Sequence, residues 1–194
     1  MAYIHLENNS WIENGYIPES ILPSEKGFKL IWEMHPNTFH KIKLFGKEFN
    51  TPRWQQSYGK DYKFSGTLSK ALPIPNILKP FLQWANNNEI KKGRNGDLNG
   101  LLLNWYKDGE HNIGWHSDSE SQLDNSRPIY TISLGASRKF KIKHVKSGAT
   151  NDYIVNNGSY LIMGGDMQAH YKHSVPKSKK ITEPRISITI RKFN

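Results

Sequence analysis

From Ile74 onward, apolar and polar positions change period once. From Ile74 to Asn88, opening with Pro75-Asn76, the residues Ile77, Leu78, Phe81, Leu82 and Trp84-Ala85 recur at near-helical spacing, which predicts a helix lying against a sheet. After Gly100 the period shortens. Leu101 to Tyr106, Ile129 to Leu134, Lys139 to Val145, Tyr153 to Val155, Ser159 to Met163 and Arg185 to Phe193 alternate, or run in β-branched and aromatic residues, with Gly, Asn and Ser between them. With shorter pieces near His116 and His170 these make roughly eight strands, and a closed or double-sheet architecture manages so many edges. The expected class is α+β, mainly β.

Upstream the pattern is less regular. Residues 1 to 25 set Asn8-Asn9, Asn14-Gly15, Pro18 and Pro23 among a few large apolar residues, Trp11, Tyr16 and Ile21, and read as an arm or lid. Ser24 to Met34 has the order of a capped, short amphipathic helix that Pro36 stops. Lys41 to Phe49 reads as a strand meeting a turn, with Phe45 at the tip. Phe45 either tucks into the core or forms a wedge that enters a base stack while Lys41, Lys43 and Lys47 meet phosphates. Thr51 to Tyr58 and Tyr62 to Gly66 interleave aromatic rings with cations and amides, Arg53 and Phe64 among them. That mixture stacks bases and contacts backbones, or forms ordinary cross-strand pairs. Lys91 to Gly100 holds three glycines and predicts a surface loop whose Lys91, Lys92 and Arg94 are solvated charge.

Charge and composition narrow the chemistry. Lys and Arg number 27 against 17 Asp and Glu, a net charge of +10 that favours a polyanionic partner through counterion release. Cysteine is absent, which excludes disulfides, thiolate–zinc sites and a cysteine nucleophile, permits a reducing intracellular compartment, and leaves nitrogen and oxygen to hold any metal. Met1 to Trp11 has neither a basic nor an apolar leader region, and no apolar run approaches the length of a bilayer span, so a soluble protein with no membrane partner is expected.

One stretch concentrates the chemistry. In Asn104-Trp-Tyr106 and, past Asp108-Gly109, His116-Ser-Asp118, polar residues alternate on one face of extended chain. A turn at Asp108-Gly109 is expected to bring the two pairs together. His116, Asp118 and a downstream histidine supply two imidazoles and a carboxylate, a set that binds one face of iron(II) and leaves positions open. His170 and His173 compete as the third ligand. Both together with His116 and Asp118 would instead make a closed zinc site, a reading ranked below iron. In Arg185-Ile-Ser187-Ile-Thr189-Ile-Arg191 the isoleucines face one way and the polar residues the other. Arg185 and Arg191 stand about 20 Å apart along such a strand, yet two guanidinium groups leaning toward one another can grip the ends of a short dicarboxylate. Such a strand by itself also fits a polar face turned to water.

Phe45-Gly-Lys, Pro52-Arg53, Tyr62-Lys-Phe64-Ser65-Gly, Asn104-x-Tyr106-Lys-Asp-Gly, Ile113-Gly-Trp-His116-Ser-Asp118-Ser-Glu120, His173-Ser-Val-Pro and Pro184-Arg185-Ile-Ser-Ile-Thr189-Ile-Arg191-Lys follow one another from about Lys41 to Asn194. In them the chain resembles the AlkB family of nucleic-acid dealkylating dioxygenases, and within it the branch that acts on duplex DNA. The resemblance implies a double-stranded β-helix (jelly roll) core with N-terminal helices and a substrate-binding hairpin. Residues 1–40 would be an N-terminal arm with a short helix. Residues 41–194 would be the catalytic domain, with a nucleotide-recognition lid over about 41–70.

It further implies iron(II) on His116, Asp118 and His173, with dioxygen as co-reactant. 2-Oxoglutarate would be held by Asn104, Tyr106, Arg185, Thr189 and Arg191, and by Ser187, which stands where the family usually has Asn. Phe64 and the His116 ring would sandwich a flipped base, with Tyr62, Ser65 and Glu120 as pocket wall, Arg53 alongside and Phe45 filling the vacated stack. Lys177, Lys179 and Lys180 would reach the opposite backbone. Ser119 stands where relatives have a second Asp.

The implied activity is oxidative demethylation of 1-methyladenine and 3-methylcytosine in DNA, releasing formaldehyde and succinate, by an intracellular monomer acting on double-stranded DNA. Nucleus and cytoplasm are left open. The alternatives are the same chemistry on RNA or single-stranded DNA, and a catalytically silent nucleic-acid binder on the same roll.

Overall fold

The computed structural model describes residues 2–44, 46–64 and 66–194; the expectations for Phe45 and Ser65 lie outside them. The chain opens with the hairpin β1 (Ala2–His5) and β2 (Ser10–Tyr16), then helix α1 (Glu25–Trp32). Hairpins β3 (Lys41–Leu44)–β4 (Lys47–Asn50) and β6 (Tyr62–Phe64)–β7 (Thr67–Ser69) flank β5 (Trp54–Tyr58). Helix α2 (Lys79–Lys91) leads into β8 (Gly100–Tyr106), β9 (Ile113–His116), β10 (Ile129–Gly135), β11 (Arg138–His144), β12 (Thr150–Val155) and β13 (Ser159–Gly165). A single turn, α3 (Met167–His170), precedes β14 (Tyr171–Val175), and β15 (Arg185–Arg191) closes the fold.

Two antiparallel sheets face each other. One runs β1-β2-β13-β10-β15-β8-β5, the other β12-β11-β14-β9. Strands β8 to β15 cross between the sheets at nearly every connection, only β11–β12 being a hairpin within one sheet, which is the winding of a double-stranded β-helix.

The period of two sorts side chains between two interiors. Leu101, Leu103 and Trp105 of β8, Tyr130, Ile132 and Leu134 of β10, and Ile186, Ile188 and Ile190 of β15 face the helices, where Ile31 of α1 and Phe81 and Ala85 of α2 cover them. The three β15 isoleucines are fully buried, each worth about 1.5–3 kcal/mol. Helix α1 is capped by Ser24, whose Oγ accepts the Gly27 N–H at 3.2 Å, and the indole of Trp105 donates to its Ile31 carbonyl at 2.9 Å. The alternate residues of β8, β10 and β15 point between the sheets, where the cavity lies.

Three expectations need correction. Residues 10–16 are a strand: β2 pairs with β13 from Ser10↔Gly165 to Tyr16↔Ser159 and so belongs to the large sheet. Lys92 and Arg94 are partly buried ion-pair partners, while Lys91 stays exposed. Lys92 pairs with buried Glu13, and Arg94 forks onto the fully buried Glu89 carboxylate at 2.6 and 2.8 Å, because α2 buries Glu89 in register with Phe81 and Ala85 and that charge needs a partner. Asp108-Gly109 is no hairpin turn, since β8 and β9 lie in different sheets. The bend carries the chain across the roll, fastened by Gly109 N–H to the Ile181 carbonyl and Ser178 N–H to the Gly109 carbonyl. A Cβ on Gly109 would sit 1.8 Å from the Ser178 oxygen, so only glycine permits this approach. Arg138 staples the same crossover, donating to the carbonyls of Asp108, His111 and Pro176 at 2.8–3.0 Å.

Candidate metal centre and cosubstrate cavity

β9 and β14 pair His116 directly with His173, and Asp118 follows β9 by two residues. Ligand atoms of His116, Asp118 and His173 all lie within 4.8 Å of one another. His116 shares its Nδ1 with the Gly114 carbonyl at 2.9 Å, leaving Nε2 facing Asp118 Oδ1 at 3.7 Å. The His173 ring stacks on Phe140 with centroids 5.4 Å apart. His170, the rival third ligand, lies in α3 outside this group.

Electrostatics set the protonation states. Burial pushes the Asp118 carboxyl up, but the adjoining Arg191 guanidinium overrides it and holds the group well below the usual carboxylate range. Arg191 donates Nη2 and Nε to Asp118 Oδ2 at 2.6 and 3.2 Å, which leaves Oδ1 turned to the imidazoles. Burial lowers His173 to about 3, with the neighbouring His116 pushing the same way, and burial lowers His116 too. Two neutral imidazoles and one carboxylate present lone pairs at neutral pH, the donor set that suits iron(II).

The polar face of β15 is buried, not wetted. Ser187 lies opposite Asn104 on β8 and Ser133 on β10, and Asn104 lies opposite Gln55 on β5, so a polar row crosses four strands inside the roll. Thr189 and Thr131 make a shorter row beside it. Arg185 and Arg191 mark the two ends of β15. Arg185 is 1% exposed, donates Nε to Ser133 Oγ at 2.8 Å and lies 5.0 Å over the Tyr106 ring. Among the described residues, both its Nη atoms, and Nη1 of Arg191, lack a hydrogen-bond partner. Burying unsatisfied guanidinium N–H groups is costly, and a carboxylate placed against them would satisfy them. The donor set and the orphaned cations therefore fit iron(II) and a dicarboxylate cosubstrate.

The structure gathers most of the expected site residues around this cavity. Asn104, Tyr106, Ser187, Thr189, Arg191, Arg53, Tyr62, Phe64, His116, Asp118 and His173 line it, and Arg185 stands behind Tyr106. Arg53 is buried and turned inward, with Nε on Asn104 Oδ1 at 2.7 Å. Tyr62 stacks on Phe64 at 6.0 Å, lies under Arg191 at 4.9 Å and has Glu120 close by. Burial raises the Glu120 carboxyl, and the Asp118 charge adds to it. Lys177, Lys179 and Lys180 stay exposed on the loop after β14, Lys177 within 3.1 Å of Glu110. Gln55, Thr131 and Phe140 also line the cavity but were not anticipated, nor was Ser133, the partner of Arg185. Thr131 and Ser133 carried the same signal as Ser187 and Thr189, polar residues two apart in an apolar strand.

Residues 22–191 match the family model of the 2OG-Fe(II) oxygenase superfamily. The chain is 37% identical over 165 residues to human DNA oxidative demethylase ALKBH2, covering 79% of this chain and 61% of that protein. The bovine protein of the same name is 35% identical, with 79% and 57% covered. Mouse alpha-ketoglutarate-dependent dioxygenase alkB homolog 3 is 33% identical over 150 residues, with 72% and 51% covered. The chain thus spans about three fifths, or less, of these relatives' lengths. The solved structure of OsALKBH1 shares the fold, with a TM-score of 0.61 at 16% identity over 98% of this chain and 100% of that one. Among the described residues no helix is long and apolar enough to cross a membrane.

Proposed function

The chain belongs to the 2OG-Fe(II) oxygenase superfamily, on its AlkB branch, and from that we propose that it is a DNA repair dioxygenase that removes N-methyl groups from bases such as 1-methyladenine and 3-methylcytosine. One observation carries the reading. The His116–Asp118–His173 cluster sits at one end of the polar face of β15, and a buried arginine with two unpartnered nitrogens sits at the other. Those free N–H groups suit the far carboxylate of a dicarboxylate whose other end meets the metal. Two relatives, human and bovine, are named DNA oxidative demethylases, which supports DNA as the substrate.

Bound iron(II), with 2-oxoglutarate and dioxygen, supplies oxidation of an N-methyl C–H bond to hydroxymethyl. The chain's own residues do the rest. His116 and His173, kept neutral by burial, and Asp118, kept ionised by Arg191, offer the metal three donors without first losing protons. Arg185 would take the far carboxylate of 2-oxoglutarate, while Asn104, Ser187 and Thr189 border its length. Ser187 is shorter than the Asn that the family resemblance would place there, and Gln55, in the same row with an Nε2 unpartnered among the described residues, offers a donor nearby. Phe64, His116 and Tyr62 line the cavity, where a flipped methylated base would stack between Phe64 and His116 with Tyr62, and Glu120 beside it, as wall. The hydroxymethyl product then breaks its N–C bond, giving formaldehyde and the restored base.

The duplex preference rests on Phe45, flanked by Lys43 and Lys47, and on the exposed Lys177, Lys179 and Lys180. We take the acting species to be a monomer. The test incubates the protein with iron(II), 2-oxoglutarate and a 1-methyladenine oligonucleotide, single-stranded or annealed, and follows the restored base by mass. Restoration in the duplex that Phe45→Ala abolishes, while single-strand repair persists, is the expected result. No restoration in either strand form, or equal loss in both, would refute the corresponding part.

A further inference from the structure

The hairpin β1–β2 lies before the residues 22–191 that match the family, yet it braces the metal centre through a short relay. Trp11 of β2 faces Gly164 of β13, and its ring lies where a side chain on Gly164 would go: a Cβ there would come within 2.0 Å of it. At the hairpin tip the Asn9 carbonyl accepts the Asp166 N–H at 3.3 Å. Asp166 starts α3, and Gln168 in that turn reaches over to accept the Asp118 N–H on Oε1 at 2.8 Å, across fifty positions of sequence. The amide end of Gln168 rests against Met163 Sδ at 3.9 Å. Gln168 does not line the cavity. Asp118 lies beyond the end of β9, so no strand pairing fixes its main chain. The Gln168 bond does, and with it the direction in which the carboxylate leaves the backbone.

We propose that Gln168 is a positioning residue for the Asp118 carboxylate, and that the N-terminal hairpin, through Trp11 and Asn9, is the brace that holds Gln168 in place. The inference rests on the metal-centre reading and goes beyond it. Arg191 fixes one carboxylate oxygen electrostatically, and Gln168 fixes the main chain from which the carboxylate hangs. Side chains that orient a metal ligand typically change affinity by about 10–100-fold when removed.

Isothermal titration of metal-free full-length protein with Mn(II), alongside urea unfolding of the same samples, tests this. Gln168→Leu, close in size but without an acceptor, is expected to weaken Mn(II) by about tenfold or more with little change in the unfolding midpoint. Gln168→Glu, which keeps the acceptor, should bind at least as tightly as the parent protein. Trp11→Ala should weaken Mn(II) by itself yet add little in the Gln168→Leu background, since both changes act on one relay. Equal weakening in Gln168→Leu and Gln168→Glu, or full additivity with Trp11→Ala, would overturn the relay. If His173→Ala loses Mn(II) while Gln168→Leu binds like the parent, the inference alone fails. If His173→Ala also binds like the parent, the metal-centre reading fails with it.

Discussion

Arg191→Met isolates the charge on which the cavity depends. Arg191 and Asp118 are 4% and 2% exposed, and the guanidinium gives two N–H groups to Asp118 Oδ2. Methionine keeps most of the length and volume but strands the carboxylate. Removing one partner of a buried pair costs about 3–5 kcal/mol, because the remaining charge stays desolvated. For a chain of this size that is a fall in midpoint of roughly 6–20 °C. The pH dependence carries a sign. The Asp118 carboxyl is depressed in the fold, so its contribution is full above the unfolded carboxylate value of about 3.9 and is lost as pH falls below it. In Arg191→Met the carboxylate loses its counter-charge and takes up a proton far more readily. The gap between the two proteins should therefore be widest near neutrality, begin to close above about pH 4 as the variant's buried carboxylate takes up its proton, and close further below about 3.9, where the parent's contribution is lost. Adding Asp118→Asn to Arg191→Met should recover much of the loss, since no charge is then left buried. The assay is urea unfolding of chelator-treated protein from pH 3 to 8. A loss under about 1 kcal/mol at pH 7, the size of an exposed pair, or a gap independent of pH, would refute the argument.

Arg185→Leu should raise KM for 2-oxoglutarate by about 100-fold, the loss of a charge-assisted pair, with KM for oligonucleotide unchanged; steady-state succinate release measures both. Because burial already keeps His173 near 3 and lowers His116, Mn(II) affinity should be flat from pH 6 to 8, and a steep loss centred on the ordinary histidine value would contradict the neutral-imidazole account. Gly109→Ala, which drives a Cβ against the Ser178 carbonyl, should destabilise the fold by about 2 kcal/mol or more and weaken Mn(II) as the crossover shifts; unchanged unfolding would show that the approach can relax.

How much of this was legible depends on the range of the interactions. β15 announces itself because both of its faces are written into seven consecutive residues. Its isoleucines bury against helices and its polar residues line the cavity, although sequence could not distinguish a polar face in water from one inside a roll. Residue type picked out His116 and Asp118 and left His170 and His173 as rivals, the family resemblance pointed to His173, and the β9–β14 register sets His173 beside His116. β2 was missed because Asn14-Gly15 and the charged Glu13 interrupt its apolar run. Glu13 is tolerated only because Lys92 and Tyr160 reach it from remote parts of the chain. Arg94 looked solvated for the same reason, its meaning lying in the burial of Glu89. Gln168 carried no local signal, since its partner Asp118 is met only through the fold.

If iron sits on His116, Asp118 and His173 with 2-oxoglutarate alongside it in one cavity, the two must bind together. Anaerobic titration of the iron(II)-loaded protein with 2-oxoglutarate tests it most directly. A saturable visible charge-transfer band is expected, absent in His173→Ala and shifted to much higher 2-oxoglutarate concentration in Arg185→Leu. A parent protein that binds iron(II) yet develops no band at any 2-oxoglutarate concentration, or an Arg185→Leu variant that titrates identically, would contradict it.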